Sequence, residues 1–329
     1  MQSVLFIPQV NTIGNVLGWL VFVAFAVLFG WLPRQAWRVK NALLKWGGVA
    51  LSGLLTLVLV LLTFVLGRGL YILYMPRNYP VAEITVARTP EQIARGEHLS
   101  LSLCAGCHSS NGELPLNGGF DVGKDSPVPI GELIAFNLTP GGPLKDWSDG
   151  EIFRVIRQGV DRDGRRLITM SNLPVRHLSD DDILAVIAYL RSQPTMSNPP
   201  KQGDYPNLLL AVFVGANLVP PAPGPIMGAV VAPLKGPTAE FGKYVLSYND
   251  CDYCHGPDYT GGTPGGLQPV GPTLRLIKGW TRDQFITTLR TGVDPSVHEL
   301  DSTRMFWKTY RNLEDDELAA IYEYLHGLP

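Results

Sequence analysis

The five-residue pattern Cys-x-x-Cys-His occurs twice, as Cys104-Ala-Gly-Cys107-His108 and as Cys251-Asp-Tyr-Cys254-His255. The two copies use all four cysteines of the chain. Each copy dictates what must be built around it. A redox dithiol would need a thioredoxin-like βαβ setting, and no strand-like run flanks either copy. A zinc site drawn from both pairs leaves the following histidine unexplained twice, and a structural disulfide leaves it equally idle. Attachment of c-type haem accounts for every member of the pattern. The paired sulfurs of Cys104 and Cys107, and of Cys251 and Cys254, form thioethers with the porphyrin vinyl groups. His108 and His255 become the proximal iron ligands. Two covalently bound haem c groups are expected, and with them one-electron chemistry.

The sequence around the two copies repeats. Trp147, Arg157, Gly159, Val160 and Asp161 match Trp280, Arg290, Gly292, Val293 and Asp294 at equal spacing. Leu178-Ser-Asp-Asp-Asp182, leading to Tyr189-Leu190, faces Leu313-Glu-Asp-Asp-Glu317, leading to Tyr324-Leu325. Ile183, Val186, Ile187 and Leu190 recur at helical spacing, and acidic residues crowd the first turn, where the helix dipole favours them. Thr89-Pro90-Glu91-Gln92 reads as a capping box with proline at the first helical position, and Thr238 as the matching cap. Each unit is therefore a helix into the haem motif, a Gly/Pro-rich excursion, a middle helix, a loop and a closing helix.

That order resembles the class I cytochrome c fold. The expected architecture is all-α: residues 1–75 as an anchor, 88–197 as a first cytochrome c domain, 198–233 as a linker and 234–329 as a second domain. Met170 and Met305 each lie 19 residues before the tyrosine of the closing helix, and class I cytochromes place the axial methionine in that loop. They are the expected sixth ligands, ahead of His177 and His298, which are not repeat-equivalent. Met196 is poorly placed, and His98 reads as a surface residue. The resemblance also implies that the carbonyl of Pro272, in Gly271-Pro272-Thr273-Leu274, accepts the other ring N–H of His255. The first repeat has Asn137-Leu138-Thr139-Pro140 there instead. Trp147, Arg157, Trp280 and Arg290 are candidates for the haem propionates, since guanidinium groups match carboxylates. Core packing for the tryptophans and a solvated face for the arginines are the alternatives. The Gly/Pro-rich loops 109–146 and 256–272 are expected to fold over the haem edges.

Two runs ahead of these units, about 13–32 and 46–67, carry no charge and meet the roughly 20 residues needed to cross a bilayer. No Lys or Arg precedes the first, unlike a signal peptide. Both read as transmembrane helices. Arg34, Arg38, Lys40 and Lys45 lie between them, which places that loop in the bacterial cytoplasm and the N-terminus and haem domains on the periplasmic side. Trp31, Trp46, Tyr71 and Tyr74 stand where interfacial aromatics belong. Gly14, Gly18, Gly48 and Gly53 could admit neighbouring helices. Residues 1–74 hold five basic and no acidic side chains, and the remainder 22 basic and 29 acidic. An acidic outer part argues against nucleic acid. Leu208 to Pro220 is apolar but too short to span, and is expected to pack between the haem domains, with a partner or the membrane surface as the alternative.

The segments Phe136-Asn-Leu-Thr-Pro140, Trp147-Ser-Asp149, Gly159-Val-Asp-Arg-Asp-Gly164 and Leu178-Ser-Asp-Asp-Asp182 resemble the cytochrome c subunits of periplasmic alcohol, aldehyde and gluconate dehydrogenases. The dihaem subunit of cbb-type oxidases has a similar layout, and a cytochrome subunit of a quinol-oxidising or photosynthetic complex is a third variant. The resemblance implies an electron-transfer subunit with no catalysis of its own, working with protein redox partners, other membrane subunits and lipid. A dihaem peroxidase and a mainly structural membrane subunit are the rival readings.

Overall fold

The computed structural model describes residues 9–263 and 270–329. Two long helices open it, α1 (Gln9–Ala36) and α2 (Ala42–Tyr74). They are 28 and 33 residues long, about 42 and 50 Å at the α-helical rise. Both are long and apolar enough to cross a membrane. They overrun the apolar runs because hydropathy marks the span and not the helix end. Asn41 caps α2 by accepting from the Leu44 amide, four residues before Lys45. The helices pack antiparallel, and Trp19 Nε1 donates to the Thr63 carbonyl at 2.9 Å.

The first domain contains α3 (Pro90–Leu99), α4 (Ala105–His108), α5 (Asp149–Gln158) and α6 (Asp180–Ser192). A linker helix, α7 (Leu208–Gly215), follows. The second domain contains α8 (Ala239–Ser247), α9 (Cys251–His255), α10 (Arg282–Thr291), α11 (Trp307–Tyr310) and α12 (Asp315–His326). Thr89 closes the expected capping box, and Thr238 accepts from the Phe241 amide. Ser148 and Thr281 build capping boxes for α5 and α10. Gly159 and Gly292 end those helices in the left-handed region, at φ 65° and 74°, where other residues are strained.

One sheet qualifies the all-α expectation. β1 (Gly131–Ile134) pairs antiparallel with β2 (Gly203–Pro206), with Gly131 opposite Pro206 and Ile134 opposite Gly203. Strands this short carry no readable alternation. The sheet fastens the long loop of the first domain to the linker.

Helix α7 does not pack between the two haem domains. It lies against α2, and the reason is steric. A β-carbon on Gly69 would fall 1.7 Å from the Ala211 carbonyl oxygen, and one on Gly215 would fall 1.9 Å from that of Val65. Glycine on each helix lets the backbones touch. Arg68 donates to the Gly215 carbonyl and, at 2.9 Å, to Asn217 Oδ1. Of the glycines expected to admit neighbours, Gly18 meets Leu208 and Gly48 meets Ala36, while Gly14 and Gly53 have no such atom within 4 Å.

In each domain the first and closing helices cross at a glycine. A β-carbon on Gly96 (α3) would lie 1.9 Å from the Ala185 carbonyl oxygen, and one on Gly242 (α8) equally close to that of Ala320. The two crossed pairs then pack on each other in one continuous apolar core that includes Leu99, Ile187, Val245 and Ile321. A polar cluster sits inside this contact. Arg95 on α3 reaches Asp182 on α6 and Glu317 on α12, both at 2.8 Å. His98 Nε2 lies 2.8 Å from Glu317 Oε2, and the Tyr244 hydroxyl donates to Asp182 Oδ2 at 2.5 Å. His98 and Tyr244 are two residues past their crossing glycines, and Asp182 and Glu317 are repeat-equivalent. The two domains thus meet about a pseudo-twofold relation, each reaching the other's acid. This corrects the surface reading of His98, whose side chain is only 15 % exposed.

Glu317 is fully buried. Burial pushes its carboxyl up, but His98 and Arg95 outweigh that and hold it down at about 2. A depressed carboxylate contributes stability that is complete above the unfolded value and lost as pH falls through the folded one, here from 4.5 toward about 2. That contribution is about 3 kcal/mol. Glu317→Gln is expected to lower the urea midpoint of the detergent-solubilised protein at neutral pH by a comparable free energy. It should also flatten the acid sensitivity of the wild type, followed by circular dichroism.

Candidate functional site

The first motif emerges from a π-helical turn, Ser100–Cys104, that continues α3 and hands over to α4. Such turns re-aim the residues after them and recur at functional sites. The second motif lies on α9, a fresh helix that starts at Cys251 after α8 has ended at Ser247. All four cysteines are free and half-buried. Burial pushes the Cys104 and Cys251 thiols up to about 12, which disfavours the thiolate that a reactive dithiol or a metal site requires. No group of three or more His, Cys, Asp or Glu converges as metal ligands among the described residues.

Both motif histidines point Nδ1 at a backbone carbonyl. His108 Nδ1 lies 2.9 Å from the Phe136 oxygen, and His255 Nδ1 lies 2.7 Å from the Pro272 oxygen. A carbonyl only accepts, so the proton resides on Nδ1 and the Nε2 lone pair is left for a metal. Burial pushes the His108 imidazole down, toward the neutral form that ligates. Pro272 is where the sequence put it. In the first domain the acceptor is Phe136, one residue before Asn137. Asn137 instead folds its own loop, accepting from Thr139 and donating to the Met196 carbonyl and Asn198 Oδ1. A backbone acceptor has no side-chain signature, so only alignment of the repeats could have found Phe136.

Cys104, Cys107, His108, Trp147 and Met170 line one apolar cavity, with about 1190 Å³ of unfilled space, part of it open to solvent. Leu144, Ile152, Val155 and Leu190 form much of the wall. A pair of free cysteines, a directed imidazole, a methionine and an apolar wall fit haem c, and these residues would hold it. In the second domain Cys251, Trp280, Met305 and Tyr310 pack partly buried against the common core, and His255 is buried. Part of the loop expected to cover the second haem, 264–269, lies outside the described residues. His177 and His298 are exposed, and His177 does not line the first cavity.

The arginine expectations need correction. Arg157 is buried and does not line the cavity: it donates to the carbonyls of Arg176 and Leu178 and to Asp180 Oδ1, the last at 2.6 Å. Arg290 makes the equivalent bonds, to the Arg311 carbonyl and to Asp315 Oδ1. Both arginines fasten the start of the closing helix to the middle helix, so their repetition reflects folding. Trp147 does reach the first cavity. Trp280 packs on the core, and its carbonyl accepts from the Tyr322 hydroxyl.

A family model described as cytochrome c matches residues 93–194 and again 239–329. The chain is 25 % identical over 274 residues to the alcohol dehydrogenase (quinone) cytochrome c subunit of Gluconobacter oxydans, covering 72 % of this chain and 55 % of that protein. It is 25 % identical over 272 residues to the gluconate 2-dehydrogenase cytochrome c subunit of Pantoea cypripedii, covering 72 % and 59 %. It is 24 % identical to a nicotinate dehydrogenase subunit of Pseudomonas putida, across 98 % of this chain and 29 % of that one. The chain thus spans little more than half the length of the first two relatives.

Gly271 tests the second site. A β-carbon there would lie 2.8 Å from His255 Nδ1 and 3.0 Å from the Cys254 carbonyl oxygen, tighter than real contacts allow. Gly271→Ala is expected to displace the imidazole and break its bond to Pro272. Absorption and electron paramagnetic resonance spectra should then show one perturbed low-spin haem and one unchanged.

Proposed function

The chain belongs to the cytochrome c family, and we propose that it is the membrane-anchored, dihaem electron-transfer subunit of a dehydrogenase complex at the outer face of the bacterial cytoplasmic membrane. The observation that carries this reading is the repeated site: a Cys-x-x-Cys-His motif whose histidine donates Nδ1 to a carbonyl, with a repeat-matched methionine in the same domain. Bound haem c would supply a one-electron iron couple. Cys104, Cys107, Cys251 and Cys254 would hold the two groups, with His108 and Met170 ligating the first iron and His255 and Met305 the second. A methionine ligand in addition to histidine would raise the potential and leave no ligand position free. That supports a carrier over a peroxidase, which needs an open position.

The domain packing supports transfer within the chain. The crossed helix pairs put both sites on one continuous core, with the Arg95 cluster holding the domains in register. Anchoring is supported by the two long apolar helices. Asn15, near the start of α1, donates to the Tyr74 hydroxyl at the end of α2 and to the Pro206 carbonyl of β2. The N-terminal end of α1 and the C-terminal end of α2 therefore lie on the side of the first haem domain, as the basic loop between the helices requires for a periplasmic location. The host is inferred from the relatives, which are dehydrogenase subunits by name.

Solubilised in mild detergent, the chain is expected to co-purify with a dehydrogenase subunit and to carry two haems by mass. Its oxidised form should show methionine-to-iron charge-transfer absorption in the near infrared for both. Co-purification with a copper–haem oxidase would reassign the host, and rapid peroxide turnover by the isolated chain would overturn the carrier reading.

A further inference from the structure

Beyond the motif and the Trp147 indole, the lining of the first cavity is apolar except at Thr169 and Asp204. Asp204 also lines a second, smaller cavity, where the first domain meets the ends of α1 and α2. The two cavities share Phe136, Leu167 and Asp204, and Arg165 and Arg166 line the second. Arg165 is matched with Asp161 at 2.8 Å. Arg166 is only 5 % exposed and has no carboxylate partner among the described residues. Its Nε donates to Ser171 Oγ at 2.8 Å and its Nη2 to the Pro220 carbonyl at 3.2 Å. Burial and the nearby positive charge of Arg77 push Arg166 down to about 10, and Arg77 Nε is itself buried without a partner. Among the described residues no acid is paired with Arg166: Asp161 is taken by Arg165, and Asp204, although it lines both cavities, makes no ion pair with Arg166. A buried cation beside a like charge is unfavourable unless an anion joins it.

We propose that Arg166 receives a propionate carboxylate of the first haem, so that the acidic edge of that haem points toward the junction with the anchor helices. The proposal rests on the reading that haem c occupies the first cavity. A haem is apolar except for its two carboxylates, and beyond the motif and the Trp147 indole the polar lining of this cavity is Thr169 and Asp204, the latter shared with the cavity that Arg165 and Arg166 line. At the matching position the second domain has no arginine. The antiparallel bridge between Val160 and Arg166 recurs as one between Val293 and Glu299, so an exposed glutamate stands where the first domain buries an arginine. Arg166 offsets negative charge beside the first iron and favours its reduced state. It makes the two haems electrostatically unequal despite their matching ligand sets.

The test is a redox titration of the detergent-solubilised full chain followed by absorbance. A Cys104→Ala, Cys107→Ala variant identifies the transition of the first haem by its loss. Arg166→Gln is expected to lower that midpoint alone, moving the electron equilibrium between the haems about tenfold toward the second. Arg166→Lys should retain most of the wild-type midpoint while altering the propionate bending bands in resonance Raman spectra. Unchanged midpoints in Arg166→Gln with both haems bound would overturn the proposal, as would a shift confined to the second haem. If Arg166→Gln fails to accumulate with both haems, the Lys variant decides: unaltered propionate bands overturn the proposal. Peptide mass analysis of the wild type separates the two levels. A first motif without haem would sink the underlying reading, whereas unchanged midpoints with both haems in place sink only the role of Arg166.

Discussion

The fold depends on backbone-to-backbone contact at two helix crossings. Gly96 and Gly242 let the first helix of each domain lie directly on the carbonyls of its closing helix. Everything else is arranged around that contact. The crossing fixes where the first helix ends, hence where Cys104 and Cys251 emerge. It also exposes the far faces of both helix pairs, and these become the interface between the domains. Apolar burial supplies most of that association, but it is non-directional and would permit sliding. Arg95, held between Asp182 and Glu317, gives the interface a register, because two buried carboxylates tolerate only the position in which the guanidinium and His98 satisfy them.

A second fixed relation joins the first domain to the apolar hairpin. Three connections contribute. Asn11 and Asn15 of α1 both donate to the Pro206 carbonyl, α7 lies in backbone contact with α2, and Arg77 donates its amide to the Gly164 carbonyl. The linker is thus not a spacer. It contributes β2 to the sheet and α7 to the helical hairpin, and its later part bonds to α5 and α6 through Ile226 and Val230.

Much of this was legible in the residues. The two Cys-x-x-Cys-His motifs, the repeat, the capping box at Thr89 and the two long apolar helices all have local signatures: fixed spacing, fixed composition or a fixed cap. What was illegible shares one property, that it depends on who meets whom across the chain. Arg157 and Arg290 repeat as faithfully as the Cys-x-x-Cys-His motifs do, yet they repeat because each domain must fasten its closing helix. His98 looked like a surface residue because its partner, Glu317, lies 219 residues away. The Phe136 carbonyl has no side-chain signature. Leu208 to Pro220 was read by its hydropathy, which says that it is buried but not against what; the glycines at 69 and 215 chose the partner.

The contacts between Asn15, Tyr74 and Pro206 set a mechanical condition. A domain hung from a membrane by a flexible strand would search for partners by swinging. This one is bolted at the base, and its neighbour is locked to it. Under the proposed topology both irons would then sit at constant heights above the lipid headgroups, as contacts on a rigid mast. A partner would have to come to those heights, so geometry as well as affinity would select which proteins can exchange electrons with it.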